Sequence, residues 1–408
     1  MASEPAGPSA SRDASRRWRV HGWRASLLLL VGALLVAGVA AEAAVRWVRG
    51  DRIVLFPRFH SRAVYGDYVL RRLRPRTVFW HTSVDGRWRF SVNAEGFRND
   101  RDIPYARTPG RLRVLALGDS YTEGFEVRQE ATFPAVAERW LDVHGLPADV
   151  INAGVSGFGT AEELAFLENE GINYRPDAVV LGFFGNDFVD NARSGLFALD
   201  DDSLVVRSKV YAPAVAVLDM LNAIPPMRWL SENSYLYGFA FNAVWDWVKT
   251  ASVRRARAGL ASEYAVPMDA PAPGEAALEM ALLTRMSRFC RARGILLIVV
   301  DVPIHVDRGR GAFTSSIPSP LLGAFRGAAD VLLLSQDVLG PYAGVAEIHV
   351  PHGEHHISEF THMMFGIRVA EAIRDRLPAL RASAGLRADR SARRGSSSDP
   401  RRRRGSPG

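Results

Sequence analysis

The sequence predicts an α/β domain, a three-layer sandwich with a mainly parallel sheet. An N-terminal transmembrane helix precedes it and an inserted helical cap interrupts it. Three observations carry this. From Arg111 onward, apolar strand-like runs alternate with amphipathic helical runs, the pattern of a parallel sheet covered on both faces. Residues 25–41 form an apolar stretch without a single charge. Between Phe188 and Gly274 the alternation stops, and an acidic run, a Pro-Pro pair and an aromatic cluster take its place.

Composition supports a large folded core: 48% of the 408 residues are apolar and 10% aromatic. Disorder throughout, a collagen-like repeat and a disulfide scaffold are excluded. The formal net charge of +7 invites a nucleic-acid reading until the charges are located. Residues 381–408 hold nine arginines against Asp389 and Asp399, and residues 1–24 hold five against Glu4 and Asp13. The part between the tails is mildly acidic, so no nucleic-acid partner is expected. The lone cysteine, Cys290, sits in a helical run and reads as a buried core thiol.

The first element is the apolar stretch 25–45, which covers roughly 26–31 Å as a helix and so matches a bilayer's hydrocarbon layer. Val39-Ala40-Ala41 would suit a signal-peptidase cut. The 24-residue leading tail and the length of the stretch favour a retained anchor. Five arginines flank it on each side, so charge counting alone does not orient it. The expectation is a single-pass cell-membrane protein with its large domain outside the cytoplasm. Residues 46–110 read as a β-rich juxtamembrane arm, with Val84-Asp85-Gly86-Arg87 a hairpin signal.

The main domain, 111–380, is expected to run through strand Leu112–Leu117, helix Ala131–Val143, strand Asp149–Asn152 and helix Ala161–Glu170. Strand Ala178–Phe184, helix Ala276–Arg293, strand Ile295–Val302 and helix Glu359–Arg376 complete it. The insertion, about 188–274, contains Asp200-Asp201-Asp202, Pro225-Pro226 and Trp229, Tyr235, Tyr237, Phe239, Phe241, Trp245 and Trp247. It serves as a packing layer, as a wall of the site, or as both. The tail 381–408 has no aromatics or apolar periodicity and is expected to be disordered.

Parallel sheets place ligand sites at the carboxyl ends of their strands. There the chain shows Gly118-Asp119-Ser120 after the first strand, Asn152 to Thr160 after the second and Gly185-Asn186-Asp187 after the third. Glu354-His355-His356-Ile357-Ser358 precedes the last helix. Four such segments in this order resemble the SGNH (GDSL-type) hydrolase superfamily over roughly residues 111–378. A preceding Asn93-Ala94-Glu95-Gly96-Phe97-Arg98 is similar to its bacterial membrane-anchored kind.

The resemblance implies a flavodoxin-like sandwich and a serine esterase that needs no cofactor or metal. Ser120 would be the nucleophile and His356 its base. The backbone N–H groups of Ser120 and Gly157 and the side chain of Asn186 would form the oxyanion hole. The superfamily generally has an Asp two or three residues before the His. Position 353 is Gly, so Glu354 is the carboxylate at that spacing, and the usual final Gly-His is Thr361-His362. His355 is the rival base, but it sets Glu354 and His352 at the wrong spacing. Asp119 and Asp187 read as turn residues bonding neighbouring N–H groups.

Other chemistries fit less well. Five histidines lie between His349 and His362, but the helical H-E-x-x-H zinc arrangement is absent. Gly157-Phe158-Gly159 ends in Glu162, not the glycine of a dinucleotide loop, and no G-x-S-x-G elbow occurs. The expected substrate is an acyl ester, acetyl among the options, on a cell-surface glycan or lipid. An O-acyltransferase would use the same residues. An inactive scaffold that binds polysaccharide or an envelope partner is the alternative from another class.

Overall fold

The computed structural model describes residues 11–213, 215–244, 247, 271–307, 311–352 and 356–396. Helix α1, Ser11–Arg49, contains a segment, Trp23–Arg49, long and apolar enough to cross a membrane. The arm that follows is two antiparallel hairpins, β1 (His60–Tyr65) with β2 (Tyr68–Leu73) and β3 (Val78–Ser83) with β4 (Gly86–Ser91). Ser83 pairs with Gly86 across the Val84-Asp85 turn. Phe56, Phe59, Phe79 and Phe90 form the arm's own core, and Phe125 of the main domain completes it. The arm is thus packed onto the main domain.

The main sheet holds β5 (Leu112–Gly118), β6 (Ala148–Asn152), β7 (Ala178–Phe183), β11 (Leu296–Asp301) and β12 (Val331–Leu333). The order is β12-β11-β7-β5-β6 and every pairing is parallel. Numbered along the chain, the five strands lie 2-1-3-4-5, the doubly wound order with its switch point beside the first strand. β6, β7 and β11 are buried at every position, as continuous apolar runs under two helix layers require. One layer carries α4 (Thr160–Asn169), α5 (Asp187–Ser194) and helix Pro273–Arg291. The other carries α3 (Phe133–Val143) and the last helix. Cys290 lies buried in the first, where its surroundings push the thiol up to about 12.

Two expectations are corrected. The insertion is not helical throughout: it opens with the hairpin β8 (Phe197–Asp200) and β9 (Ser203–Val206), then β10 (Val210–Tyr211), which pairs with β2 of the arm. The acidic run is its turn. Asp201 and Asp202 both have positive φ, +46° and +61°, the backbone of a two-residue hairpin loop, which Asp tolerates. Only then come α6 (Val215–Asn222), α7 (Pro225–Asn233) and a helix at 235–244; Trp245 lies outside the described residues. The last helix, Glu359–Ser396, also runs past Pro378 into the stretch expected to be disordered. Ala, Leu and Arg dominate 379–394 and favour helix intrinsically, a property that apolar periodicity does not register. Residues 397–408 lie outside the description.

Asp149 at the start of β6 locks the sheet's lower edge. Its carboxylate meets Arg111 Nε at 2.7 Å, Arg101 Nη2 at 3.0 Å and the fully buried Arg113 Nη2 at 3.1 Å. Asp149→Ala leaves the Arg113 guanidinium buried without its counter-charge. The expected loss is about 3 kcal/mol of unfolding free energy, read from denaturant midpoints of purified protein.

Candidate active site

The site is built where β5, β6 and β7 end. β5 stops at Gly118, and Asp119 caps the four-residue helix α2, Ser120–Glu123, by accepting the Tyr121 N–H at 2.9 Å. This turn lifts Ser120 out of the sheet. The structure brings Ser120 and His356 together: Ser120 Oγ lies 2.9 Å from His356 Nε2. His356 is buried, its ring stacked against Phe125 at 4.8 Å and beside Tyr121 at 4.8 Å.

The histidine loop is held from three sides. His349 and Ile357 form an antiparallel bridge, and the Val350 N–H donates to the His356 carbonyl. Arg128 grips Glu359, first residue of the last helix, with Nη2 to Oε2 at 2.6 Å. Asp85 in the arm's hairpin turn accepts the His352 N–H at 3.0 Å and contacts its Nδ1 at 2.7 Å. His352 therefore faces the arm and His356 faces the serine. His362 is buried against Phe133 and accepts that residue's N–H at 3.1 Å. Burial lowers its imidazole to about 3, so it is neutral. Glu354 and His355 lie outside the described residues.

The carboxylate found against the ring's second nitrogen is one the sequence reading missed. Glu126 Oε2 is 3.6 Å from His356 Nδ1, an ion-pair distance rather than a hydrogen bond. Glu126 is buried and has φ +58°, a left-handed backbone that costs a non-glycine residue roughly 1–2 kcal/mol. Its N–H points at His81 Nδ1, 3.5 Å away. The available signal was a lone acid in the apolar run Gly124-Phe125-Glu126-Val127. No spacing rule assigns such a residue to a histidine 230 positions away.

The expected oxyanion donors stand nearby. Gly157 takes φ +76°, which favours glycine, and its loop is fixed by its neighbours. The Ser156 N–H donates to Glu123 Oε2 at 2.5 Å, and Arg71 and Arg193 hold the carbonyls of Ser156 and Gly157. Asn186 Nδ2 donates to Asp119 Oδ2 at 3.1 Å and lies 3.4 Å from Asp190 Oδ2. Asp119 thus bonds both α2 and Asn186. Asp187 accepts the Phe184 N–H at 3.2 Å, closing its own turn.

Buried acids surround these loops. Burial raises Glu123 and Glu162 to about 8, Glu279 to about 7 and Asp119 to about 6, and drives Glu163 and Asp187 well up. The folded state then holds protons that the unfolded chain releases, so stability falls as pH rises through these values. Burial depresses His60, His81 and His362, so acid below the ordinary histidine range favours the unfolded chain. The melting temperature of detergent-solubilised protein should therefore peak in mildly acidic buffer and fall from pH 7 to 9. Glu123→Gln should flatten that fall.

The family description GDSL-like Lipase/Acylhydrolase matches residues 116–301. That segment holds Ser120, Gly157 and Asn186 and stops before the histidine loop. An arylesterase of Vibrio mimicus is 33% identical over 75 residues, 18% of this chain and 38% of the arylesterase. The chain thus matches well under half the length of that curated relative. A lipase/acylhydrolase from Enterococcus faecalis is 15% identical, over 65% of this chain and 96% of its own, with a TM-score of 0.31. A two-domain esterase active on acetylated mannans is 14% identical, over 65% and 50%, with a TM-score of 0.30. Residues 116–301, which carry the serine turn, glycine loop and asparagine turn at successive strand ends, are similar to the GDSL-like lipase/acylhydrolase family.

Proposed function

We propose that the protein is a serine esterase that removes an acyl group from an ester of a cell-surface glycan or lipid. The observation that carries this is the 2.9 Å contact between Ser120 Oγ and His356 Nε2. In this reading Ser120 attacks the acyl carbonyl and His356 takes its proton. The ester C–O bond breaks, His356 returns the proton to the departing alcohol, and water then releases the acyl group by the same steps. Ser120 and Gly157 N–H groups and the Asn186 amide stabilise the oxyanion. Asn186 serves with the hydrogen now turned toward Asp190, since Asp119 keeps the other. A retained α1 holds the domain at the outer face of the cell membrane.

Two carboxylates compete to orient the imidazole. Glu354 has the spacing of the family's acid. Glu126 has the contact with His356 Nδ1, and catalytic contacts are often long before substrate binds. We assign the role to Glu126, because its strained backbone and complete burial fix its carboxylate at the ring.

Ser120→Ala should abolish hydrolysis of p-nitrophenyl acetate and labelling by a fluorophosphonate, with the melting temperature little changed. Asn186→Ala should slow turnover roughly a hundred- to a thousandfold. Neutralising a carboxylate that supports a catalytic histidine costs about 10⁴ where it has been measured. Glu126→Gln should accordingly lose several hundredfold or more in kcat with KM nearly constant, and Glu354→Gln should lose far less. The reverse ranking would return the role to Glu354. Glu126→Gly separates chemistry from folding: it relieves the positive φ, so the protein should melt no lower while kcat collapses.

A further inference from the structure

We propose that the outer face of the cap, residues 215–244, is a membrane-docking surface lying in the headgroup layer of the bilayer that α1 crosses. The cap's polarity is inverted. Among its exposed residues Arg228 is the only charged or polar one. The large ones are Val217, Met220, Ile224, Trp229, Phe239 and Val244, between 45% and 63% exposed. A helix layer facing water carries its charges outward. Here the polar side chains turn toward the arm instead. Asp219 pairs with Arg74, Glu232 accepts the Trp80 N–H at 3.4 Å, and Asn242 accepts from Arg58 at 3.1 Å. Large exposed apolar side chains without intervening exposed charges, apart from Arg228, are what an interaction surface carries.

The occupant follows from where the cap is fastened. Glu42 is the first residue after the uncharged stretch 25–41. Its carboxylate accepts the Tyr235 and Leu236 N–H groups at 2.9 Å each and the Ser234 hydroxyl at 2.7 Å, capping the helix at 235–244. Four residues on, Arg46 donates to the Asn233 carbonyl at 2.8 Å and lies over the Tyr235 ring. With about 1.5 Å of rise per helical residue, the cap is tied to α1 at the edge of the hydrocarbon layer. A helix held there with its apolar side outward sinks that side into the headgroup boundary. Arg46, Arg49 and Arg52 lie at the same level, Arg46 paired with Glu42 and Arg52 3.8 Å from Asp51, which leaves a small net positive charge there. The surface rests on α1 being a retained span and is independent of the reaction chemistry.

The consequence for substrate is positional. Gly238 packs on Leu55, next to Phe56, whose ring lies 4.1 Å from Phe125, and Phe125 stacks on His356. The serine therefore works a short distance above a lipid surface, favouring esters carried by membrane-bound molecules.

The test uses full-length protein in vesicles of phosphatidylcholine and phosphatidylglycerol, with a nitroxide on Met220→Cys or Trp229→Cys. Leu30→Cys is the bilayer reference and Val143→Cys, exposed at the end of α3, the water reference; Cys290 is buried and should take no label. Circular dichroism melts check folding whether or not the protein proves to be an esterase. Loss of relaxation by a water-soluble nickel chelate at 220 and 229, with gain of relaxation by oxygen, supports the proposal. Chelate access equal to that at 143, while 30 stays in lipid, overturns it with the anchor intact. Access at 30 as well overturns it through the anchor. Protection with spin–spin broadening between labels assigns the face to a second copy and also overturns it.

Discussion

The candidate active site depends on a buried guanidinium. The turn Asn93 to Phe97, closed by Asn93 Oδ1 accepting the Phe97 N–H at 2.8 Å, drives Arg98 under the Ser120 turn. Arg98 donates to the carbonyls of Glu123 and Val127 at 2.8 Å each and to that of Gly124, and it lies 3.9 Å from the Phe90 ring. A four-residue helix such as α2 leaves its last carbonyls without intrahelical partners, and Arg98 gives the Glu123 carbonyl and the turn that follows it their donors. Burial lowers the guanidinium only to about 10, so it keeps its charge at neutral pH. Ser120, Phe125 and Glu126 all sit on the segment it organises.

The arm is consequently part of the site. It supplies Arg98 beneath the serine, Phe56 and His81 behind Phe125, and Asp85 on the histidine loop. The pairing of β10 with β2 carries the same connection on to the cap. Serine and histidine come from opposite ends of the main domain. They meet because the arm and the Arg128–Glu359 pair hold both loops at once. A sheet of this type offers its switch point to any chemistry; these supports specialise it.

The buried acids show a second constraint. Glu279 accepts from Thr160 at 3.1 Å and from Asn191 at 2.6 Å, and Asn191 Oδ1 accepts the Ala161 N–H at 2.8 Å. These contacts fix α4, α5 and helix Pro273–Arg291 to one another directly behind the glycine and asparagine loops. Carboxyls held neutral in this way can remain buried at less cost than charged ones.

Alternation of apolar runs determined four of the sheet's five strands, their parallel sense and their boundaries to within a residue or two, because a strand buried on both faces must be apolar throughout; the short half-buried edge strand Val331–Leu333 carries no such run and was not legible. Local chemistry also made the serine turn, the Asn186 turn, the Val84-Asp85 hairpin and the membrane-length stretch legible in the sequence. Other features were decided only by tertiary packing. Asp201 and Asp202 became a hairpin turn because β8 and β9 paired across them. Glu126 met His356 because a left-handed backbone bends its loop back, a relation that no sequence period encodes. The cap's inverted polarity depends on which faces meet Arg58, Arg74 and the Trp80 N–H. Composition counts aromatics; only the fold decides which of them face outward.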